Sequence, residues 1–549
     1  LTGKLSGWTS AKDVILRVAT MLTVKGGTGK IVEYFGEGAR NMSATSKGTI
    51  TNMGAEIGAT TSTFGYDDMM DPYLRATDRG PIADLCKQYA EQLRSDASVE
   101  ADPGKYYDEV HEIDLNTLEP HIVGPHTPDL GRTVSAMSAE VDEKGYPEKL
   151  SAALIGSCTN SSYEDMTRSV SLVRQAKAAG IKAQTSLLVT PGSETIYQTI
   201  KRDGILQEFE DAGATVLANA CGPCIGQWKR DDMKKGDKNS ILTSYNRNFA
   251  KRNDGNPETL GFISSPELVV AMAFGGSMKF NPLTDSLKDK DGNDFKFQPP
   301  AGEVLPPNGY TPQDAGYEVP TMSGEVVISP TSERLSFLEP FAKQDPAKDY
   351  QDLPVLFKAK GKCTTDHISQ AGPWLKFRGH LDNISNNMFL GATNAFHPET
   401  GSGNNPVTGE ENQELNKIAR NLRDQGLGWV AFADENVGEG SSREHAAMEP
   451  RHMGCRAFVA NSYARIFEAN LKKQAVLPFT FADKADYDKI QAKDRISYEG
   501  LDQLAPGKAV TMTIKHEDGS SDSVQVNHTL NDKEINWFKH GSCLNSLTA

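Results

Sequence analysis

The feature that most constrains the fold is a regular alternation of strand and helix patterns between residues 150 and 275. Four short apolar segments have the composition of strands: SAALIGS, QTSLLVT, TVLAN and ILTSYN. Two longer segments have helical periodicity: YEDMTRSVSLVRQAKAAG, which ends at Gly180, and SETIYQTIKRDGILQEFEDAG. Such alternation predicts an α/β fold in which helices cover a parallel sheet, that is, a three-layer α/β/α domain.

Polar and sulfur-bearing side chains follow three of these predicted strands. Cys158 follows the first strand, the pair Cys221 and Cys224 follows the third, and Asn246 with Arg247 follows the fourth. In a parallel sheet the loops at the carboxyl ends of the strands lie at one edge, where ligands bind. We therefore expect these three loops to converge on one crevice.

The chain has 549 residues, too many for a single core, so we expect several domains. A Pro- and Gly-rich stretch without periodicity, residues 301–336, is predicted to be a long linker. The linker separates two α/β domains, over residues 1–117 and 118–300, from a C-terminal α/β domain over 337–549. The second domain carries the cysteines.

Composition excludes several classes of protein. With 38% hydrophobic and 24% charged residues the chain is typical of a soluble globular protein. The net charge of −15 argues against a surface that binds nucleic acid. Apolar runs such as residues 268–274 are too short to span a membrane. The seven cysteines are few and scattered, which indicates a reducing compartment and no disulfide framework.

A C-x-x-C pair is typical of structural zinc, of a redox-active dithiol or of an iron–sulfur centre. A structural zinc needs a fourth ligand, and no further His or Cys lies near Cys221 and Cys224 or near Cys158. A thioredoxin-like dithiol opens a helix and needs no distant third cysteine. Most clusters use four cysteines, and one held by three leaves an iron open to act as a Lewis acid. Three thiolates on neighbouring loops therefore favour a [4Fe–4S] cluster.

Four arginines lie beside strand-end or glycine-rich loops: Arg247, Arg252, Arg378 and Arg443. A single arginine is most often a solvated surface charge. Four in such positions favour a small polyanion, because guanidinium pairs with carboxylate through two hydrogen bonds.

The segment GEGSSREHAAMEPRHMG places Ser441 and Ser442 after glycines at a predicted helix start. Ordinary N-capping is the simpler interpretation, and alone we would favour it. The same geometry supplies backbone N–H groups and the positive end of a helix, which stabilise a serine alkoxide.

Five motifs together resemble the aconitase (aconitate hydratase) family of the mitochondrial type: GSCTNSSYEDM, ANACGPCIGQW, TSYNRNFAKRNDGNP, TTDHISQAGPW and GEGSSREHAAMEPR. The resemblance covers essentially the whole chain. It implies a hydro-lyase of the tricarboxylic acid cycle in the mitochondrial matrix, which isomerises citrate to isocitrate through cis-aconitate. It also implies that the C-terminal α/β domain is a swivelling domain.

The resemblance implies a role for each candidate residue. The ligands of a [4Fe–4S] cluster would be Cys158, Cys221 and Cys224. The substrate-binding residues would be Arg247, Arg252, Arg378, Ser442 and Arg443. Ser441 would be the base, as an alkoxide that Arg443 stabilises. Residues near the cluster and its bound water would be Asn52, Glu56 and Asn246. Asp366 and Ser369 would support the substrate arginines or the acid–base network.

The resemblance also implies what the chain needs from outside. The chain begins where the family's second domain would start, so we expect the family's N-terminal domain to be missing. The acid that protonates the leaving hydroxyl would lie in that domain, and we expect the chain alone to be close to inactive without it. The other expected partners are citrate, cis-aconitate and isocitrate, with no membrane and no nucleic acid, and we expect a monomer.

Two alternatives remain at this point. One is a sister dehydratase that acts on homoaconitate or isopropylmalate, against which the segments SSYEDM and SYNRNF favour aconitase. The other is RNA binding by a cluster-free form, as in the cytosolic relative, against which the acidic charge weighs.

Overall fold

The computed structural model describes residues 1–312, 317–321, 323–440 and 444–548. The chain forms two compact units, Leu1–Thr321 and Met322–Ala549. Their boundary lies inside the predicted linker, whose described residues form no helix and no extended strand. No helix in the described part of the chain has both the length and the apolar character needed to cross a bilayer.

The first unit includes both segments predicted as separate domains, 1–117 and 118–300, and the division between them stays a prediction. Its strands are β1 Ile31–Tyr34, β2 Thr61–Phe64, β3 His121–Val123, β4 Gly131–Thr133, β5 Leu150–Gly156, β6 Ser186–Thr190, β7 Thr215–Val216, β8 Asn239–Thr243, β9 Thr259–Ile263, β10 Leu287–Lys288 and β11 Asp294–Phe295. Its helices are α1 Ala11–Leu22, α2 Glu37–Arg40, α3 Ala44–Asn52, α4 Asp71–Ala76, α5 Gly80–Gln88, α6 Ala90–Leu93, α7 Ala97–Ala101, α8 Val134–Lys144, α9 Tyr163–Ala178, α10 Glu194–Arg202, α11 Ile205–Asp211 and α12 Pro266–Gly275.

A seven-stranded sheet organises this unit, in the order β4-β3-β9-β8-β5-β6-β7. The five strands from β9 to β7 pair in parallel. The short strand β3 pairs antiparallel with both β9 and β4 at one edge. The carboxyl ends of β5, β7 and β8 therefore lie at the same edge of the sheet.

Both faces of the central strand β5 are covered. Ala153 and Ile155 belong to a core cluster shared with α9 and α12. Ala152 and Leu154 belong to a second cluster, which includes Cys224. Alternating side chains of one strand thus pack on opposite sides, as a three-layer arrangement requires. The predicted α/β fold class is confirmed.

The segment SETIYQTIKRDGILQEFEDAG forms two helices, α10 and α11, where the sequence pattern predicts one. Gly204 separates them with a left-handed backbone, φ +78. A left-handed residue interrupts the i→i−4 hydrogen bonds of a helix. Ile200 and Phe209, one on each side of the break, still pack in the same core cluster, which explains why the apolar pattern looks continuous.

The second unit is built around a closed seven-stranded barrel in the order β12-β15-β16-β17-β20-β19-β18. Its strands are β12 Leu353–Lys358, β13 Ser402–Gly403, β14 Gln413–Glu414, β15 Trp429–Ala433, β16 Cys455–Ala460, β17 Leu477–Phe481, β18 Arg495–Glu499, β19 Val510–Lys515 and β20 Ser521–Asn527. Its helices are α13 Thr365–Ile368, α14 Leu381–Ile384, α15 Leu415–Asp424, α16 His445–His452, α17 Arg465–Lys473 and α18 Asp532–His540.

Half of the barrel is parallel and half antiparallel. β12, β15, β16 and β17 pair in parallel, with helices between them along the chain, whereas β18, β19 and β20 form an antiparallel meander. Val430 and Phe432 of β15 belong to a cluster with residues from every strand of the barrel, so they fill its interior. Trp429 and Ala431 point the other way, into a cluster that includes residues of α15, α16 and α17.

We expect Phe432→Ala to lower the free energy of unfolding of this unit by about 3–5 kcal/mol, because it leaves a cavity inside a closed barrel. Phe432 is fully buried and stacks on Phe481. Phe337 of the same unit is 60% exposed, and Phe337→Ala is the matched control, with an expected change within about 0.5 kcal/mol. Urea denaturation of both variants measures the difference, and equal losses would contradict the barrel core described above.

Candidate active site

The first predicted loop leaves β5 through a strained turn that presents Cys158 to solvent. Gly156 has φ +103 and Ser157 has φ +62, and the Ser161 hydroxyl donates a hydrogen bond to the Ser157 carbonyl. A Cβ atom on Gly156 would lie 1.9 Å from the carbonyl oxygen of Thr190 at the end of β6. Only glycine therefore fits at the point where the cysteine loop begins.

The second loop carries the C-G-P-C pair in a short 3₁₀ turn, Gly222–Ile225. Cys221 is exposed and Cys224 is buried. The loop that follows β8 holds this turn in place. Arg252 Nε donates to the Cys224 carbonyl at 2.7 Å, and Asn253 Nδ2 donates to the Pro223 carbonyl at 3.1 Å.

The third loop links the cysteines to a buried carboxylate. Asn246 Oδ1 lies 3.8 Å from Cys224 Sγ, and Asn246 Nδ2 donates to Glu56 Oε1 at 3.2 Å. Glu56 in turn forms an ion pair with Arg247, at 2.9 Å between Nε and Oε1. Sequence positions that are about 190 residues apart thus meet at one edge of the sheet.

Asn52, at the end of α3, completes this group. Its Nδ2 lies 4.0 Å from Cys158 Sγ, and its Oδ1 accepts a hydrogen bond from Thr159 at 3.0 Å. The structure therefore brings most of the site residues predicted in this unit into one connected group. Their exact roles are proposals that we take up below.

Burial and charge oppose each other in this group. Burial raises the pKa of the Cys224 thiol, and the nearby Arg252 guanidinium opposes that rise. Burial alone would lower the pKa of Arg247, but the Glu56 carboxylate outweighs it and the net shift is upward. Arg247 is therefore a fixed cation beside the thiols.

All seven cysteines lie among the described residues, and each is a free thiol. No group of three or more His, Cys, Asp or Glu side chains in the described residues is placed to hold one metal ion. The ligands of a single zinc ion all lie about 2.3 Å or less from it, so they crowd together. The thiols of this site do not have that arrangement.

One residue beside this group, Lys12 of α1, is not among the predicted site residues. Its side chain is fully buried, and its ammonium group donates hydrogen bonds to residues of the loops that follow β5 and β8. A lysine and an aspartate in the first turn of a helix are typical of solvated charges, so the sequence carries no signal for this burial.

The predicted site residues of the second unit lie on a separate set of loops. Asp366 is half-buried on α13. Ser369 directly follows that helix, and its hydroxyl donates a hydrogen bond to the buried Glu449 at 2.7 Å. Arg378 is exposed, and its carbonyl lies 2.9 Å from His445 Nε2. Ser441, Ser442 and Arg443 lie outside the described residues.

Comparison with known proteins decides the family. The model of the aconitase family (aconitate hydratase) matches residues 1–276, and that of the aconitase C-terminal domain matches residues 353–484. The mitochondrial aconitate hydratase of Gracilaria gracilis is 56% identical over 550 residues, which is 100% of this chain and 70% of that protein. The mitochondrial aconitate hydratase of Saccharomyces cerevisiae is also 56% identical, over 552 residues, which is again 100% of this chain and 70% of that protein.

The chain belongs to the aconitase family. A third relative, a probable mitochondrial aconitate hydratase of Caenorhabditis elegans, is 56% identical over all of this chain and 69% of its own length. The predictions of an aconitase-family enzyme and of a mitochondrial location are confirmed. A solved 3-isopropylmalate dehydratase from Methanocaldococcus jannaschii is 20% identical over 34% of this chain and 86% of its own, with a TM-score of 0.23, too low to establish a shared fold.

We expect Gly156→Ala to destabilise this aconitase-family chain by about 2–6 kcal/mol, the sum of backbone strain and a clash with β6. The matched control is Gly145→Ala, at φ +62 with nothing within 4 Å of its added Cβ, which isolates the strain of a left-handed alanine, about 1–2 kcal/mol. Urea denaturation monitored by circular dichroism compares the two. A loss no larger than that of Gly145→Ala would show that the loop before Cys158 relaxes easily.

Proposed function

We propose that this chain binds a [4Fe–4S] cluster and the substrate tricarboxylate, in the hydro-lyase reaction of aconitate hydratase that interconverts citrate and isocitrate through cis-aconitate. One observation carries the proposal. Three free cysteines lie on loops that follow β5 and β7, and one of them, Cys224, contacts Asn246, in a chain that matches aconitate hydratases over its whole length.

The donor set fits an iron–sulfur cluster. Its soft ligands are thiolates, and here Cys158 and Cys221 are exposed while Cys224 is buried. In a cluster each thiolate binds a different iron, so the ligands need not crowd around one point as they do for zinc. Asn52 places its Nδ2 donor beside Cys158 Sγ, where a hydrogen bond to sulfur tunes such a centre.

The chemistry that an iron–sulfur cluster supplies matches a dehydration reaction. When bound, a cluster held by three cysteines supplies one iron without a protein ligand, which acts as a Lewis acid toward a hydroxyl group. The chain itself supplies fixed cations beside that position. Arg247 is held by Glu56, and Arg252 by the Cys224 carbonyl, so both are oriented before a carboxylate arrives.

The second unit contributes the remaining proposed roles. Arg378, Ser442 and Arg443 bind substrate carboxylates, and Ser441 removes the carbon-bound proton. The turn that leads to Ser441 is anchored, since Thr365 N donates to the Glu439 carbonyl at 3.0 Å and Gly440 has φ +114. A serine is a weak base unless its anion is stabilised, which is the task we assign to Arg443 and nearby backbone amides.

The supporting carboxylates act through these groups. Glu56 orients Arg247 and Asn246, and Asp366 lies on α13, against the same turn. We assign them positioning roles, and the tricarboxylate itself contacts the arginines.

We expect Ser441→Ala, in the holoenzyme, to lower kcat about 10²–10⁴-fold with little change in KM, because it removes a proton-transfer group and no carboxylate contact. Arg378→Lys should instead raise KM about 10- to 100-fold, since lysine cannot form the two-pronged contact. Arg495→Lys, in strand β18 of the barrel, is the control and should change neither. Citrate turnover at several concentrations separates kcat from KM. Wild-type turnover by Ser441→Ala, or turnover of isopropylmalate in place of citrate, would contradict the assignment.

The cluster is expected to be labile to oxygen, because an iron without a thiolate ligand is lost first on oxidation. Cys158→Ser, Cys221→Ser and Cys224→Ser should each abolish most acid-labile sulfide after anaerobic reconstitution. Cys543→Ser, at a half-buried cysteine of the second unit, should retain it. Iron and sulfide analysis with absorption spectra makes the comparison. Zinc without sulfide in the anaerobically purified protein would overturn the proposal.

A further inference from the structure

Lys12 is an unusual residue for its position. It is the second residue of α1, between Ala11 and Asp13, and its side chain is fully buried. Lysine is almost never fully buried unless its charge is compensated. The environment of its ammonium group therefore needs an explanation.

Every hydrogen of that ammonium group has an acceptor. Nζ donates to Asn160 Oδ1 at 2.9 Å, to the Ser244 carbonyl at 2.8 Å and to the Tyr245 carbonyl at 2.9 Å. Three donors meet three acceptors, which is the full capacity of a lysine. A side chain that only filled space would not need this geometry.

The three acceptors belong to the two loops that carry site residues. Asn160 lies two residues after Cys158, and its Nδ2 donates to Asp165 Oδ1 at 3.2 Å. Ser244 and Tyr245 directly precede Asn246 in the chain. The Ser244 hydroxyl also accepts a hydrogen bond from Gly156 N at 2.9 Å, so the same two loops are joined beside the lysine.

The ammonium group of Lys12 also interacts electrostatically with residues of the site. Burial lowers the pKa of Lys12 to about 7, and Asp165 and the sulfurs of Cys158 and Cys224 act against that fall. When protonated, Lys12 thus places a cation within electrostatic range of two thiols on the sheet edge. Thiolates that bind metal are anionic, and a nearby fixed cation favours the anionic form.

We propose that Lys12 is a positioning residue of the cluster site, which ties the loop of Cys158 to the loop of Asn246 and offsets the negative charge of the bound centre. The inference rests on the proposed function, because it assumes that the thiols bind a cluster. It assigns to α1 a role in cofactor retention that its packing in the core alone does not require.

Two substitutions separate the contributions of Lys12. Lys12→Met keeps the length and loses both the hydrogen bonds and the charge, whereas Lys12→Gln keeps a hydrogen-bond donor and loses the charge. Lys358→Met is the matched control, a buried lysine of the second unit that donates to the Ile490 carbonyl at 3.2 Å. All are made in the full-length holoenzyme.

The measurement is the equilibrium constant for one-electron reduction of the reconstituted cluster, from an anaerobic redox titration read by electron paramagnetic resonance. Reduction adds a negative charge to the centre, and a unit positive charge that acts over roughly 8–12 Å at an effective dielectric constant of about 20 changes the equilibrium constant for reduction about 10- to 30-fold. We expect the reduction equilibrium constant to fall at least about tenfold in both Lys12 variants, in Lys12→Met at least as much as in Lys12→Gln, and Lys358→Met to match the wild type. Urea midpoints with and without the cluster accompany this titration.

The outcomes are distinct. If the wild type takes up no cluster, the proposed function fails. If the wild type takes it up and both folded Lys12 variants titrate like it, the inference on Lys12 is overturned. Equal losses of urea midpoint with and without the cluster, or failure of both variants to fold while Lys358→Met folds, would show a general structural role and also overturn it.

Discussion

Parallel pairing of β5 with β6 and β8 is the constraint on which the rest of the first unit depends. The register aligns Leu154 with Thr243, so the chain leaves both strands at the same height. Residues that are 88 positions apart, Gly156 and Ser244, then hydrogen-bond at the start of the two loops. Because side chains alternate along a strand, a shift of one residue would move Cys158 away from its neighbours and exchange the side chains on the two covered faces of β5.

Local patterns account for the elements that the sequence analysis anticipated. The strand pattern at SAALIGS corresponds to β5, Leu150–Gly156, and the helix pattern that follows corresponds to α9, Tyr163–Ala178, whose Ser162–Asp165 capping box fixes its start. The break at Gly204 was missed because both halves keep their apolar residues on one core. Closure of the second unit into a barrel was also missed, since it depends on pairing between distant segments such as β12 and β18.

The site residues also divide into those that have a local sequence signal and those that do not. Cysteine spacing and strand-end position identified the three thiols and the polar loop of Asn246 and Arg247, because those features are local in sequence. The contacts of Glu56 with that loop bridge about 190 residues and carry no local signal. The burial of Lys12 was unpredictable for a further reason. Its amphipathic helix has the charged first turn of any surface helix, and only the sheet packed against it shows that this turn faces inward.

The edge strands of the main sheet in the first unit are short, which limits its unpaired backbone. Its outermost strands are β4 with three residues and β7 with two, each far shorter than the central β5 with seven. A short edge offers few unpaired amide and carbonyl groups to another chain. The barrel of the second unit has no edge at all, because its strands close on themselves. Neither sheet therefore presents a long template for strand addition, which limits self-association through β-sheet edges at the high protein concentrations of an organelle.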